Sequence, residues 1–192
     1  VPKSGKKFED VSKLFDHAAH NGSNYLNGHC FVSIMLCVPV WNQNRIRYVS
    51  LPLGYRMWLG SESKLKLAAS MVRQAMPELA RKKNVIILCD SWYVKKDLVC
   101  LVDEYKNLDL IGNVRADSVI YDLAPELSGK KGRPAAHGRK LSIQDDFTLS
   151  DEKIGDYFMA ARRVLTNIFG KREVMAYVTA PKKDSGSRRL FF

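Results

Sequence analysis

The feature that most constrains the fold is a run of five apolar residues, Val85–Cys89, that ends directly at Asp90. An uninterrupted apolar run of this length is typical of a strand that is buried on both faces within a helix-covered sheet. Asp90 would then lie at the carboxyl end of a central strand, which is where open α/β sheets place their ligand sites. An alternative is that Asp90 only caps the helix that follows.

The residues around this run predict a hairpin, a helix and a strand–helix–strand unit. Residues 30–38 and 46–51 read as the hairpin strands, joined by a turn at WNQN, and residues 64–80 have the apolar spacing of an amphipathic helix. Residues 94–105 predict a second helix, and Leu108–Val114 predicts a second buried strand. A strand, a helix and a strand in this spacing imply a parallel, right-handed crossover.

The two ends of the chain have less regular patterns. The apolar period of residues 8–19 predicts a helix. After residue 116 the pattern changes to short strands joined by charged turns. These strands are predicted at residues 141–149, 157–164, 173–179 and 188–192. Residues 151–164 fit a helix as well as a strand, and both interpretations stay open.

Four stretches of the chain resemble transposases of bacterial insertion sequences of the broad IS4 type. They are GKKFEDVSKLFD with GHCFV, SLPLGYRMW, ILCDSWY, and GNVRADSVIYDLAPELSGKKGRPAAHGRK, in the order that such transposases use. The resemblance implies a DDE nuclease domain of the α/β class, with a ribonuclease-H-like mixed sheet flanked by helices. Residues 1–116 would form part of the catalytic core, and residues 117–192 would form a basic loop and a β-rich insertion of the same domain.

By this resemblance, Asp90 is a catalytic residue and the second of three carboxylates that bind Mg²⁺ or Mn²⁺. The first Asp would precede the segment that matches residues 1–7. The third residue, a Glu, would follow on a later helix, but no Tyr-x-x-Arg-x-x-x-Glu pattern occurs in the 192 residues. We therefore expect the central piece of a transposase, which carries one catalytic carboxylate of three and does not cleave DNA by itself.

The charge of the chain favours a polyanionic partner. The formal net charge is +11 at pH 7, from 31 basic and 20 acidic residues, and such an excess attracts nucleic acid. Residues 129–140 contain no acid and five cations. Because phosphate contact needs only charge and reach, these cations are predicted to bind the DNA backbone: Lys130, Lys131, Arg133, Arg139 and Lys140.

Three further residues are candidates for DNA contact near Asp90. Arg115 follows the second predicted strand and is a candidate phosphate ligand. Trp92 and Tyr93 are candidates to stack on an unpaired base, although packing of the helix start against the sheet explains these aromatics at least as well. Asp117 is interpreted either as a turn residue or as a further functional carboxylate, and its role stays open.

The expected function is metal-dependent cutting of transposon ends and their joining to target DNA. The resemblance implies that the active assembly contains a homodimer. No run of eighteen apolar residues is present, which argues against a membrane span. The four cysteines lack a C-x-x-C spacing and lie within apolar runs, so a reducing compartment is expected. The resemblance implies a cytoplasmic location in a bacterium, beside the nucleoid. Two alternatives remain: an inactive DNA-binding remnant of a transposase, or a phosphatase with Asp90 as nucleophile. The phosphatase would need a second Asp at position 92, which is Trp.

Overall fold

The computed structural model describes residues 8–15, 24–79, 81, 84–125, 135–168, 170–184 and 186–192. The chain divides into two compact units, Val1–Arg81 and Lys82–Phe192. The predicted division at residue 116 falls inside the second unit and stays a prediction. None of the helices in the described ranges is long and apolar enough to cross a membrane.

The first unit contains two antiparallel strand pairs and one helix. Strand β1 (Ser12–Phe15) pairs with β2 (Tyr25–Gly28), and β3 (Cys30–Asn42) pairs with β4 (Arg45–Trp58). The predicted hairpin is therefore confirmed, with strands that extend several residues beyond the predicted bounds. Helix α1 (Lys64–Leu79) follows, where a helix was predicted.

Helix α1 begins and packs as its sequence suggests. The hydroxyl of Ser63 accepts a hydrogen bond from the backbone N–H of Lys66 at 3.1 Å, which is the usual helix cap. The buried side of the helix includes Leu67, Met71 and Met76, and the helix packs against β3 and β4. Burial of this apolar face, rather than intrinsic propensity, is what stabilises a helix of this length.

The helix predicted for residues 8–19 is wrong in its described part, since Ser12–Phe15 forms strand β1. The rings of Phe15 and Tyr25 meet edge to face with 5.5 Å between their centroids. The ammonium group of Lys13 lies 4.7 Å from the centroid of the Tyr25 ring. Cross-strand contacts of this kind stabilise sheets, and here they outweigh the helical spacing of the apolar residues.

The second unit is built on a seven-stranded mixed sheet in the order β5-β6-β11-β10-β9-β7-β8. Strands β5 and β6 are parallel, and the other neighbouring strands of this sheet run antiparallel. The strands are β5 (Val85–Cys89), β6 (Leu108–Val114), β7 (Ile120–Tyr121), β8 (Lys140–Leu141), β9 (Phe158–Thr166), β10 (Arg172–Ala180) and β11 (Arg189–Phe191). The mixed sheet and the parallel pair agree with prediction, whereas the helix-flanked, ribonuclease-H-like arrangement stays a prediction.

Strand β5 differs from its prediction in position and in burial. It is the outermost strand of the sheet in the described residues, not a central one. Its alternate side chains Ile86 and Leu88 are 53% and 68% exposed, so one face of the strand is open. A continuous apolar run was therefore wrongly interpreted as burial on both faces, because apolar composition does not reveal which faces are covered.

The remaining predictions in this unit have mixed outcomes. The helix predicted for residues 94–105 is interrupted at Cys100, which leaves two short helices, α2 (Lys96–Val99) and α3 (Leu101–Glu104). The strand predicted at 141–149 is reduced to β8, and turns follow it. The last three predicted strands are confirmed as β9, β10 and β11, and β9 resolves the ambiguity of residues 151–164 in favour of a strand that starts at Phe158.

The core of the second unit contains residues that are far apart in sequence. Val94, four residues after Asp90, belongs to one buried cluster with residues from along the whole second unit: Val114, Ile120, Leu141, Phe147, Val164, Val178 and Leu190. Arg188 adds a polar tie, because its Nη1 donates to the carbonyl oxygens of Ile143 at 2.8 Å and Phe147 at 3.0 Å. The residues that surround Asp90 are thus supported by strands more than sixty positions away in sequence.

Candidate functional site

Asp90 lies directly after β5, at the carboxyl end of the parallel pair, as predicted. Its Oδ1 accepts hydrogen bonds from the backbone N–H groups of Trp92 at 2.9 Å and Tyr93 at 3.3 Å. The carboxylate therefore holds the turn at residues 91–93, which is close to the capping role considered as the alternative. Oδ2 has no hydrogen-bond partner among the described residues, and the side chain is exposed, so one oxygen remains available to a ligand.

The backbone behind Asp90 is tightly packed. A Cβ placed on Gly112 would lie 2.2 Å from Cγ2 of Val94 and 3.1 Å from Sγ of Cys89. Gly112 also exchanges two backbone hydrogen bonds with Phe192, of 2.9 and 3.1 Å. The absence of a side chain at position 112 lets the segment after Asp90 lie against β6, which positions the end of β5.

The thiol of Cys89 lies on the covered side of β5. Burial, with a smaller contribution from the charge of Asp90, raises the pKa of Cys89 to about 11. Both effects disfavour the thiolate, and the neutral thiol is a poor nucleophile and a poor metal ligand near pH 7. Cys89 therefore acts as a small core residue beside the site.

Trp92 and Tyr93 form one aromatic pair beside Asp90. Their ring centroids are 4.9 Å apart at an interplanar angle of 81°. The Trp92 ring is about half exposed, whereas Tyr93 is only partly exposed. The exposed face of Trp92 is available for stacking, and the base-stacking role of both residues stays a prediction.

Arg115 and Asp117 pair with each other in the loop after β6. Nε and Nη2 of Arg115 donate to the two carboxylate oxygens of Asp117 at 2.9 and 2.7 Å. The pair holds the pKa of Asp117 below its usual range and raises the pKa of Arg115, chiefly through these hydrogen bonds. Both side chains are largely exposed, so a phosphate would have to compete with Asp117 for the guanidinium group.

The basic segment is described only at its carboxyl end, since Lys130, Lys131 and Arg133 lie outside the described residues. Lys140 is exposed in β8. Arg139 forms an ion pair with Asp146, whose other oxygen accepts the N–H of Ser142 at 2.7 Å. The interaction with Arg139, and to a smaller extent the hydrogen bond from Ser142, hold the pKa of Asp146 below its usual range.

Two backbone hydrogen bonds join Asp122 to the carboxyl end of this segment. The N–H of Asp122 donates to the carbonyl of Arg139, and the N–H of Gly138 donates to the carbonyl of Asp122, each at 2.9 Å. The Asp122 carboxylate also accepts a 2.6 Å bond from Arg162 of β9. Positions 122 and 139 are therefore anchored to the main sheet, with the basic sequence between them.

The profile of the DDE superfamily endonuclease family matches residues 1–167. The chain belongs to this family. Comparison with curated proteins and with solved structures found no match. Membership in the DDE endonucleases implies DNA as the substrate and a general dependence on divalent metal ions.

The described part of this DDE endonuclease chain supplies one fitting metal ligand rather than a complete site. Oδ2 of Asp90 is a hard oxygen donor of the kind that Mg²⁺ prefers. Within the described ranges, no group of three or more His, Cys, Asp or Glu side chains is placed to hold a metal ion. A complete site would therefore need further ligands besides those that the described residues bring together.

Sequence reasoning missed one exposed surface of the DDE endonuclease chain, at the tip of the β3–β4 hairpin. Trp41 and Tyr48 are 77% and 70% exposed there, the highest values among the large apolar side chains of the described residues. The available signal was the absence of any acidic residue from position 30 to position 58, a stretch that contains three arginines.

Proposed function

We propose that the chain is part of the catalytic domain of an IS4-type transposase, which cuts transposon ends and joins them to target DNA. The family match over residues 1–167 is the observation that carries this proposal. The position of Asp90 supports it, because an exposed carboxylate with one uncommitted oxygen follows a strand of a parallel pair. The ribonuclease-H-like arrangement, with residues 1–116 as the core and 117–192 as the insertion, belongs to the same proposal.

In this proposal Asp90 contributes one ligand to a bound Mg²⁺ or Mn²⁺. The chemistry that such an ion would supply when bound is activation of the attacking oxygen and stabilisation of charge on the phosphate. Asp90 itself would hold its carboxylate in place through the N–H groups of Trp92 and Tyr93, so that Oδ2 faces the ligand. A homodimer, which the pairing of two transposon ends implies, and a bacterial, nucleoid-associated location are also parts of this proposal.

The role of Asp90 is tested by the substitution Asp90→Ala in a complete transposase that contains this sequence. We expect Mg²⁺-dependent cleavage of transposon ends to fall below detection while DNA binding is retained, because the substitution removes the proposed metal ligand from an exposed turn and leaves the basic segment unchanged. Asp109→Ala is the matched control, since Asp109 is an exposed carboxylate of the neighbouring strand β6. Cleavage that survives Asp90→Ala, or an equal loss with Asp109→Ala, would show that Asp90 is not a ligand.

The basic segment is proposed to bind the DNA backbone. Each bound phosphate contributes about −0.9 to the slope of log affinity against log salt concentration for duplex DNA. We expect the combined change of Lys130, Lys131 and Arg133 to Gln to make this slope shallower by roughly 0.9 for each phosphate that the variant no longer binds. Fluorescence anisotropy with a labelled duplex at several salt concentrations measures it.

The control for this experiment replaces three exposed lysines outside the segment: Lys106, Lys171 and Lys182. It lowers the net charge by the same amount as the test variant. If both variants change the slope equally, the binding reflects overall charge and the segment has no special role.

The second candidate is an inactive DNA-binding remnant, which the lack of a complete carboxylate set in the described residues favours. On either reading, the 192-residue chain is expected to bind DNA without cleaving it in Mg²⁺ or Mn²⁺. Cleavage by the complete protein distinguishes the two candidates. Cleavage by the 192-residue chain alone would contradict both.

A further inference from the structure

The β3–β4 hairpin has two chemically different faces at its tip. Partners across the ladder share a face of the ribbon, and the register pairs Trp41 with Ile46 and Pro39 with Tyr48. The same alternation places Asn42 with Arg45, and Val40 with Arg47, on the opposite face. One face of the tip is therefore aromatic and apolar, and the other carries two guanidinium groups.

The side chains at the tip have no partners within the described part of the chain. Trp41 and Tyr48 are 77% and 70% exposed, and Arg45 and Arg47 are exposed as well. None of the four forms a side-chain hydrogen bond, ion pair or ring contact with another described residue. Exposed aromatic rings of this size are costly to leave in water, so the tip has the character of a binding surface.

The charge of the hairpin indicates the occupant. Residues 30–58 include Arg45, Arg47 and Arg56 and no acidic residue, in a chain whose net charge is +11. Such a ribbon attracts phosphates, whereas an apolar protein surface would gain nothing from the two arginines at the tip. Aromatic side chains that stack on bases, together with cations that contact the backbone, are the combination that binds single-stranded nucleic acid. At this tip the two kinds of side chain lie on opposite faces of one narrow ribbon.

We infer that the tip of the β3–β4 hairpin binds unpaired DNA, with bases stacked on Trp41 and Tyr48 and phosphates held by Arg45 and Arg47. Tyr48 and both arginines belong to β4, so an unpaired DNA strand that follows the edge of β4 away from β3 has Tyr48 on one face of the ribbon and the two guanidinium groups on the other. Trp41, of β3, lies on the same face as Tyr48 and diagonal to it. The inference rests on the proposed DNA-cutting function and adds a surface for the unpaired strand, distinct from the basic segment of residues 129–140.

The test measures the affinity of the 192-residue chain for a fluorescein-labelled thymidine decamer and for a duplex of the same length. The double substitution Trp41→Ala and Tyr48→Ala is expected to weaken decamer binding about tenfold or more, because stacking contributes that much for each base. Duplex binding should change less than about twofold, which also reports that the variant is folded. The double substitution Trp41→Phe and Tyr48→Phe retains the rings and should stay within about threefold of the unmodified chain.

Met35→Ala is the matched control. Met35 lies on the same face of β3 as Trp41, is 53% exposed and has no ring, so its replacement should leave decamer binding unchanged within about twofold. A second measurement uses the arginines. Changing Arg45 and Arg47 to Gln should make the salt slope of decamer binding shallower by roughly 0.7 for each phosphate that is no longer bound.

The outcomes separate this inference from the proposed function. If the chain binds the duplex through Lys130, Lys131 and Arg133 but the hairpin variants bind the decamer normally, the inference is wrong and the proposed function stands. If the chain binds neither DNA, both are wrong. The inference is overturned if Met35→Ala weakens decamer binding as much as the Trp41→Ala and Tyr48→Ala variant does. It is also overturned if the Trp41→Ala and Tyr48→Ala variant changes from dimer to monomer in sedimentation while its affinity for the decamer is unaltered, because the tip is then an apolar contact between two copies.

Discussion

At Gly112 the backbone of β6 approaches its neighbours too closely for a side chain. A Cβ there would lie well inside the van der Waals distance of Val94, a buried side chain in the core cluster. Val94 follows the turn that Asp90 holds. A single hydrogen atom in place of a methyl group thus determines how closely the segment after Asp90 can approach the sheet.

We therefore expect Gly112→Ala to lower the free energy of unfolding by about 1–3 kcal/mol, as overpacking of a core does. Urea unfolding followed by circular dichroism measures the change. Gly186→Ala is the control, because within the described residues no atom other than those of its chain neighbours lies within 4 Å of the Cβ it would add. Equal effects of the two substitutions would mean that the close contact with Val94 is relieved at no cost.

The long hairpin is the element whose geometry depends most on two residues. Gln43 and Asn44 have φ values of 49° and 59°, and they connect Asn42 and Arg45, the last paired residues of β3 and β4. Two consecutive left-handed residues are typical of a type I′ turn, which suits the twist of a two-residue hairpin. The turn sets the register, and the register determines which face of the tip carries the aromatic residues.

Asn44→Val is expected to destabilise the hairpin by ~1–2 kcal/mol, because a β-branched residue is strained at positive φ. Asn44→Gly should be tolerated, since Gly adopts this conformation freely. Asn42→Val is the matched control within strand β3, where a β-branched residue is favourable. Hydrogen exchange of the backbone amides of β4 near the turn reports the change, and faster exchange in the Asn42 variant would contradict the assignment of the turn.

At the scale of elements, the sequence predicts the strands whose apolar pattern matches their burial. Strands β6 and β10 were found close to their predicted bounds, because local pattern and cross-strand pairing agree there. Strand β1 was missed, since its formation depends on pairing with β2, which no local period reveals. The edge position of β5 depends on strand order, and strand order is a property of the whole sheet.

At the site, the same distinction applies to single residues. The place of Asp90 after a strand follows from the end of an apolar run. Its hydrogen bonds to Trp92 and Tyr93 follow from the common tendency of Asp to bond backbone N–H groups two and three residues ahead. The pairing of Arg115 with Asp117 depends on the loop conformation after β6, which composition does not determine.

At the scale of the molecule, ionised carboxylates stabilise the second unit at several separate points. Four aspartates have pKa values below the usual range because each accepts hydrogen bonds from a cation: Asp103 from Arg172, Asp117 from Arg115, Asp146 from Arg139, and Asp151 from Lys183. A carboxylate whose pKa is lower in the folded state than in the unfolded state stabilises the fold above the unfolded pKa, about 3.9 for Asp. That stabilisation disappears as the pH falls through the folded pKa.

We expect the urea midpoint of the chain to fall as the pH is lowered from about 6 to about 2, with most of the carboxylate contribution removed below about pH 4. Asp146→Asn should lower the midpoint at about pH 6, and the difference from the unmodified chain should shrink as the pH falls through the lowered pKa of Asp146 in the folded state. Asp145→Asn is the control, because Asp145 is exposed and pairs with no described cation. A difference between Asp146→Asn and the unmodified chain that is independent of pH would show that the ionised form of Asp146 is not what matters.

The open edge of β5 has a practical consequence for anyone who purifies the chain. Within the described residues, one side of this strand has no partner, its sequence is VIILC, and Ile86 and Leu88 face solvent. An exposed apolar edge without charge or proline is a template on which further strands assemble. We therefore expect aggregation, rather than unfolding of either unit, to limit the protein concentration that can be reached in solution. Ile86→Lys or Leu88→Lys should raise that limit.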